Sequence, residues 1–318
     1  MKPTYIGVLP VYKAAGWTSH DVVAKARRLL GERRIGHTGT LDPAVTGVLP
    51  LCVGRATRLV EVLQELPKEY EAELTIGYAT DTEDASGTTI AQAESVSITR
   101  EQVEKALQQF NGTIKQIPPM YSAVKKDGKR LYELARQGIA VEREARQVTI
   151  HRIELLDYND SGSFPIIRFR VACSKGTYIR TLCVDIGQSL GYPAVMSGLL
   201  RTETGGIRLS ACYRLEEIEQ MAEQGTLEQA LIPIEDAVAF LPAVTVNASG
   251  SFQASNGIPV QWPGEAIVHP SNPPESEALV RVHQTNQELI GLFRYDPSLG
   301  VLLANKVFAP GNLNVSGG

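Results

Sequence analysis

The sequence predicts an α+β protein, and three observations carry that expectation. Strand-like and helix-like segments mix without a strict strand–helix–strand rhythm, which favours a central mixed or antiparallel sheet flanked by helices. The clearest strand, Tyr70 to Ile76, alternates with period two: Tyr70, Ala72, Leu74 and Ile76 share one face, and Glu71, Glu73 and Thr75 the other. From Val244 onward the pattern changes to short β-like runs punctuated by proline and glycine, which predicts a small β-rich C-terminal unit. The expected domains are therefore 1–242 and 243–318.

In chain order, Val22 to Leu30 reads as a helix capped by Asp21 and stopped by Gly31. Arg33 to Pro50 carries Gly36, Gly39, Gly47, Pro43 and Pro50, so it reads as a structured loop, with a short strand from Val48 to Val53. Ala56 to Leu66 has helical spacing. A polar loop, Ala79 to Thr88, follows the alternating strand. Thr99 and Gln102 form a capping-box signal before the stripe of Val103, Ala106, Leu107 and Phe110. Lys129 to Gln137 is a short helix, and Val148 to Leu156 and Ile166 to Cys173 are strands. Thr177 to Leu190 is a helix ended by Gly191. In the C-terminal unit the clearest strands are Ala278 to Val282, Glu288 to Tyr295 and Gly300 to Phe308.

Composition removes several classes of function. The chain has 318 residues, 43% hydrophobic and 21% charged, as expected of a soluble globular protein. No run of about 18 apolar residues is present, so no membrane span is expected. The N-terminal MKPTYIGVLPVYK lacks the apolar run of a secretory signal. Cys52, Cys173, Cys183 and Cys212 form no CxxC pair and sit in apolar segments, which points to buried free thiols and a cytoplasmic location. The five histidines show no metal-ligand spacing, and no phosphate-binding, dinucleotide or nucleophile-elbow motif occurs. No metal, nucleotide or flavin cofactor is indicated. A monomer is expected, because no coiled-coil pattern or long apolar surface helix appears.

The net charge of -4 conceals an asymmetry. Residues 1–60 hold nine basic side chains against three acidic ones, whereas residues 216–318 hold three against twelve. Such a distribution permits a basic binding face, and equally a scatter of solvated charges.

Three clusters could carry chemistry. In GHTGTLDP, His37, Thr38, Thr40 and Asp42 crowd polar groups into a glycine-rich loop, which is either a functional loop or a structural turn. In SKGTYIR, Gly176 permits a sharp turn into a helix whose free N–H groups favour anions, with Tyr178 and Arg180 beside it. Arg180 could as well be an ordinary surface arginine. In QIPPMYSAVKKDGKR, Tyr121 is followed by Lys125, Lys126, Lys129 and Arg130, a mixture that suits RNA or a solvated loop.

Together these segments resemble the TruB family of tRNA pseudouridine synthases. The resemblance runs in order through KAAGWTSHDVV, GHTGTLDPAVTGVLPLCVG, KEYEAELTIGYATDTEDASG, QIPPMYSAVKKDGKRLYELARQG, CSKGTYIRTLCVDIG and LLRTETGG. GVLLANKVF is similar to the closing strand of the family's small PUA-like domain. The resemblance implies a pseudouridine-synthase catalytic domain and isomerisation of uridine to pseudouridine at position 55 in the T-loop of tRNA, without a cofactor. It places the catalytic aspartate on Asp42, the active-site tyrosine on Tyr70 and the carboxylate-pairing arginine on Arg180, which favours the ionised carboxylate. It places the uridine site at His37, Tyr178, Leu199 and Asp84. Lys13, Lys125 and Arg130 are expected to touch RNA. One departure is that Leu199 is followed by Leu200 and Arg201, where the family often has two arginines. The implied partner is the tRNA T-stem-loop, with no protein partner indicated. The target base must be flipped out of its stack to be reached. A non-catalytic RNA-binding protein, a base-exchanging glycosylase and a guide-RNA-dependent enzyme are the competing readings.

Overall fold

Strand β1 (Gly7–Lys13) opens the main sheet, and helix α1 (Ser19–Leu30) follows it. The computed structural model describes residues 5–308, apart from 127, 263, 265 and 270–273. The cap of α1 differs from the sequence expectation. Thr18 is the cap, and Asp21, three residues on, returns its carboxylate to the Thr18 N–H at 2.9 Å. The two form a reciprocal capping box, so Asp21 serves the helix from inside its first turn. Gly31 ends the helix at φ 63°, as expected.

Strand β2 (Ile35–His37) leads into loop 38–45 and then β3 (Thr46–Val53). A 3-10 turn at Gly54–Leu59 and helix α2 (Val60–Glu65) share the segment expected to be one helix. Next come β4 (Lys68–Ile76) and a hairpin of β5 (Tyr78–Thr80) and β6 (Thr89–Gln92). Helix α3 (Arg100–Gln108) carries the Thr99–Gln102 capping box. It is followed by β7 (Gly112–Gln116), the small hairpin β8 (Lys125–Lys126) and β9 (Lys129–Arg130), and α4 (Leu131–Arg136). Strands β10 (Arg146–Asn159) and β11 (Ile166–Cys173) precede α5 (Ile179–Ser189) and β12 (Ala194–Thr204). Strand β13 (Ile207–Arg208), α6 (Leu215–Gln224) and α7 (Ile234–Ala237) complete this part.

The nine-stranded sheet runs β1-β3-β12-β4-β11-β10-β7, with β2 on β3 and β13 on β12. Every pairing is antiparallel except β3 with β12, so the sheet is mixed. Helices α3 and α5 cover one face of β4, β10 and β11, around a core that includes Leu74, Phe169, Leu107 and Leu182. Helices α1 and α6 cover β1 and β3 on one side. The other side of these two strands meets α2 and residues of the C-terminal unit, including Leu292 and Phe308. Burial on both faces explains why β1 and β3 read as continuous apolar runs, while β4 alternates. On the solvent face of β4, Arg170 bridges Glu71 at 2.7 Å and Glu154 at 2.8 Å.

The C-terminal β-rich domain is a six-stranded sheet: β14 (Ala243–Val246), β15 (Val260–Gln261), β16 (Ile267–His269), β17 (Leu279–Gln284), β18 (Leu289–Asp296) and β19 (Val301–Val307), packed on α8 (Ala248–Ser255). Buried His283 pairs with Glu235 at 2.9 Å, and Lys306 pairs with Glu61 at 2.8 Å, linking it to the main sheet's helices. No helix among the described residues is long and apolar enough to cross a membrane.

The largest departure from the sequence expectation is β12, a central strand. Register shifts between Met196 and Gly198, and between Arg201 and Glu203, break its period of two. Where β12 crosses β3, Gly47 lies opposite Arg201 with φ 114°, and a Cβ there would stand 2.2 Å from the Arg201 carbonyl oxygen. Gly47→Ala is therefore expected to lower stability by more than about 2 kcal/mol, measured as a shifted urea midpoint; an unshifted midpoint would contradict this close approach.

Candidate active site

Asp42 sits in a loop fixed on both sides of it. The Ser19 hydroxyl accepts from the Leu41 N–H at 2.9 Å and donates to the Leu41 carbonyl at 3.3 Å. The Pro43 carbonyl accepts from Gly16 N–H at 2.9 Å and from Lys13 Nζ at 3.1 Å. Lys13 also donates to the carbonyls of Ala14 and Trp17. The first block of the sequence therefore acts as the frame of the second. Lys13 is wholly buried, so the expectation that it touches RNA is corrected: its three donors are spent on backbone carbonyls. Burial pulls its pKa down to about 8 against the opposing attraction of Asp42.

Arg180 stands at the start of α5 with its side chain only 6% exposed. Its Nη2 lies 3.1 Å from Asp42 Oδ2 and donates to the Tyr121 carbonyl at 2.7 Å, while Nη1 donates to the Thr82 carbonyl at 3.0 Å. The Asp42 side chain is 45% exposed, so the carboxylate faces open space with its cation behind it. Gly176, at φ 79°, makes the turn into α5. Gln116 then clamps the next backbone unit, accepting from the Tyr178 N–H at 2.7 Å and donating to the Tyr178 carbonyl at 3.0 Å. One of the helix-start N–H groups expected to serve an anion is thereby occupied.

Asp42, Tyr70, Tyr178, Arg180 and Leu199 all line one cavity of about 370 Å³, a size that holds a nucleoside. Tyr70 is almost entirely buried, and burial raises its phenol pKa, so the ring stays neutral. Lys68 and Arg201 also line the cavity. Sequence reasoning missed Lys68, because a lysine at a strand end ordinarily faces water. Arg201 keeps the second basic position of the last block, and it is buried rather than outward.

Other expected residues stand apart. His37 precedes the cavity-lining Thr38 and Gly39 and is not itself on the wall. Its Nδ1 accepts from the Gly39 N–H at 3.3 Å, and its ring packs edge-on against His20. Burial, with His20 and Arg201 nearby, lowers its pKa to about 4. Asp84 is not brought to the wall either. Its Oδ1 accepts from Thr82 Oγ1 and the Ser86 N–H, both at 2.9 Å, so it shapes its own loop. Lys125 and Arg130 are exposed on the β8–β9 hairpin, as an RNA contact requires.

Comparison with known proteins gives the family and the fold. Residues 27–179 match the model of the TruB family pseudouridylate synthase N-terminal domain, and residues 180–239 match that of the tRNA pseudouridylate synthase B C-terminal domain. The tRNA pseudouridine synthase B of Bacillus pumilus is 46% identical over 299 residues, covering 89% of this chain and 95% of that protein. That of Geobacillus thermodenitrificans is 52% identical over 260 residues, covering 81% and 86%. A Cbf5–Nop10–Gar1 complex contains a chain of similar fold, with TM-score 0.75 and 29% identity over 96% of this chain and 85% of that one. These matches define the class: an isomerase with a pseudouridine-synthase fold. The chain belongs to the TruB family of pseudouridylate synthases.

Two outcomes test the geometry. Arg180→Lys keeps the charge but replaces a planar fork with a single nitrogen, which cannot span the positions that Nη1 and Nη2 serve at the Thr82 carbonyl and at Asp42 with the Tyr121 carbonyl, so turnover should fall at least about tenfold with an unchanged circular dichroism spectrum. The His37 ring should remain neutral from pH 8 down to about 5, and its carbon-bound protons should titrate by NMR only near pH 4; a midpoint near 6.5 would contradict its burial.

Proposed function

We propose that this protein converts uridine to pseudouridine at position 55 in the T-loop of tRNA, with Asp42 as the catalytic carboxylate. The observation that carries the reading is the Asp42–Arg180 pair at 3.1 Å on the wall of a nucleoside-sized cavity that Tyr70 also lines. The naming of the relatives as tRNA pseudouridine synthase B supports tRNA as the substrate.

The reaction breaks the C1′–N1 bond, turns the uracil and joins its C5 to C1′. The electron pair of the broken bond returns in the new one, so no redox partner is needed. Asp42 acts as nucleophile or base toward the nucleotide, and Arg180 keeps it charged and aimed. Tyr70, neutral and packed, offers its ring to the uracil, and Tyr178 and Leu199 close the remaining wall. His37, as a neutral imidazole that accepts at Nδ1, has its Nε2–H free to meet the RNA near the vacated base position. The T-stem-loop is read by shape, with Lys125 and Arg130 on its backbone. Residues 1–242 form the catalytic domain and 243–318 a small PUA-like RNA-binding domain; the second sheet, which begins at Ala243, supports that division. The protein acts in the cytoplasm as a monomer on tRNA alone.

Asp42→Asn should bind a T-stem-loop as tightly as the parent and form no pseudouridine, measured by mass-shift mapping of an unmodified transcript under single turnover. Measurable turnover would sink the assignment, and release of free uracil by the parent would favour a glycosylase. Binding should weaken more than about tenfold between roughly 50 and 200 mM salt; a flat response would contradict a phosphate-tracking face.

A further inference from the structure

The cavity wall carries a charge imbalance that the Asp42–Arg180 pair leaves unresolved. Lys68 is 7% exposed, and its Nζ donates to the carbonyls of Gln64 and Leu66 at 2.5 and 2.7 Å. Arg201 is 1% exposed, and it donates from Nε to the Val48 carbonyl at 2.7 Å and from Nη2 to the Gly39 carbonyl at 3.0 Å. Among the described residues, neither cation has an ion-paired carboxylate. Arg201 lies directly opposite Tyr70 in the β4–β12 register, so both cations flank the same aromatic wall.

Two like charges buried with no carboxylate in ion-pair contact are costly, and carbonyl dipoles orient them without cancelling them. A fold that keeps such a pair on the wall of its reaction cavity holds it ready for negative charge supplied from outside the protein. The proposed reaction generates that charge. When the C1′–N1 bond breaks, its electron pair stays on the uracil and spreads over N1, O2 and O4. Attack of C5 on C1′ then returns the pair to carbon, C5 loses its proton and N1 gains one, so nothing is consumed.

We propose that Lys68 and Arg201 form an anion-stabilising wall for the uracil ring, holding the negative charge that develops on the base as it leaves the ribose. The inference rests on the reading of this cavity as the uridine site. Lys68 is the member to test, because Arg201 also ties β12 to loop 38–45. Around the Lys68 ammonium stand Arg201 from β12, Cys173 from β11, Glu65 from α2 and Lys175 from the turn before α5. Burial first, and Arg201 second, pull its pKa down to about 8, so it still carries its charge at neutral pH.

The experiment uses the full chain and a T-stem-loop carrying either uridine or 5-fluorouridine at the target. Fluorine draws electron density from the ring, so that base needs less help to bear the charge. Lys68→Met should slow C–N cleavage of the uridine substrate on the order of 10²-fold at saturation, with binding changed less than about twofold. The deficit should shrink at least about tenfold with 5-fluorouridine. The parent should lose activity above about pH 8 as Lys68 gives up its charge, and Lys68→Arg should recover most of the rate and lack that fall. This variant keeps the charge and so keeps the test open should Lys68→Met fold poorly. Equal deficits on both substrates would overturn the proposal. So would weakened binding at an unchanged saturated rate, which would assign the cations to a phosphate. Asp42→Asn run in parallel separates the two readings: turnover there overturns the proposed function, whereas a dead Asp42→Asn beside a normal Lys68→Met overturns only this inference.

Discussion

The guanidinium of Arg180 joins three segments that are far apart in the chain. It meets Asp42 on loop 38–45, the Thr82 carbonyl in the turn after β5, and the Tyr121 carbonyl in the stretch before the β8–β9 hairpin. Each contact is short, and the side chain is almost free of water. A charge so placed loses most of its hydration, and its fixed partners return part of that loss only while all three stay in place. The architecture follows from this requirement. The sheet supplies α5 at the end of β11, the Gln116 amide holds the first backbone unit of that helix, and the loops close over the arginine from two sides.

The remaining charges extend the pattern. Lys13, Lys68 and Arg201 are all buried near the cavity, and all are satisfied by backbone carbonyls. Carbonyls fix where a cation points while leaving its charge available to whatever enters. The solvent face of the sheet shows the opposite solution, in which Arg170 is matched between Glu71 and Glu154. The same residue types therefore neutralise each other on one face and stand unneutralised at the other.

Much of this was readable from residues alone, for identifiable reasons. The alternation of β4, the capping box at Thr99, and the turns at Gly31 and Gly191 are local signals, and the fold kept them. Strand β12 was hidden because two register shifts scramble its alternation and Gly198 interrupts it. Strand β1 was hidden because Pro10 argues against a sheet, yet it sits at the sheet's edge, where the missing N–H is tolerated. The resemblance located Asp42, Tyr70, Tyr178, Arg180 and Leu199, and these converge on one cavity. It could not show that Lys13 faces inward or that Asp84 turns back on its own loop, because side-chain direction is decided by tertiary contacts. Lys68 escaped notice for the same reason.

The clasp of Ser19 on both polar groups of Leu41, together with the Pro43 carbonyl held by Gly16 and Lys13, has a mechanical consequence. Asp42 belongs to a loop by sequence, but the residues on both sides of it are held by hydrogen bonds to the segment 13–19. On the proposed reading, the carboxylate is a fixed post with freedom only at its own side-chain torsions. The displacement needed to break one bond to the sugar and make another then falls to the nucleotide: the RNA must travel to the protein's reactive atom, and the base must pivot there.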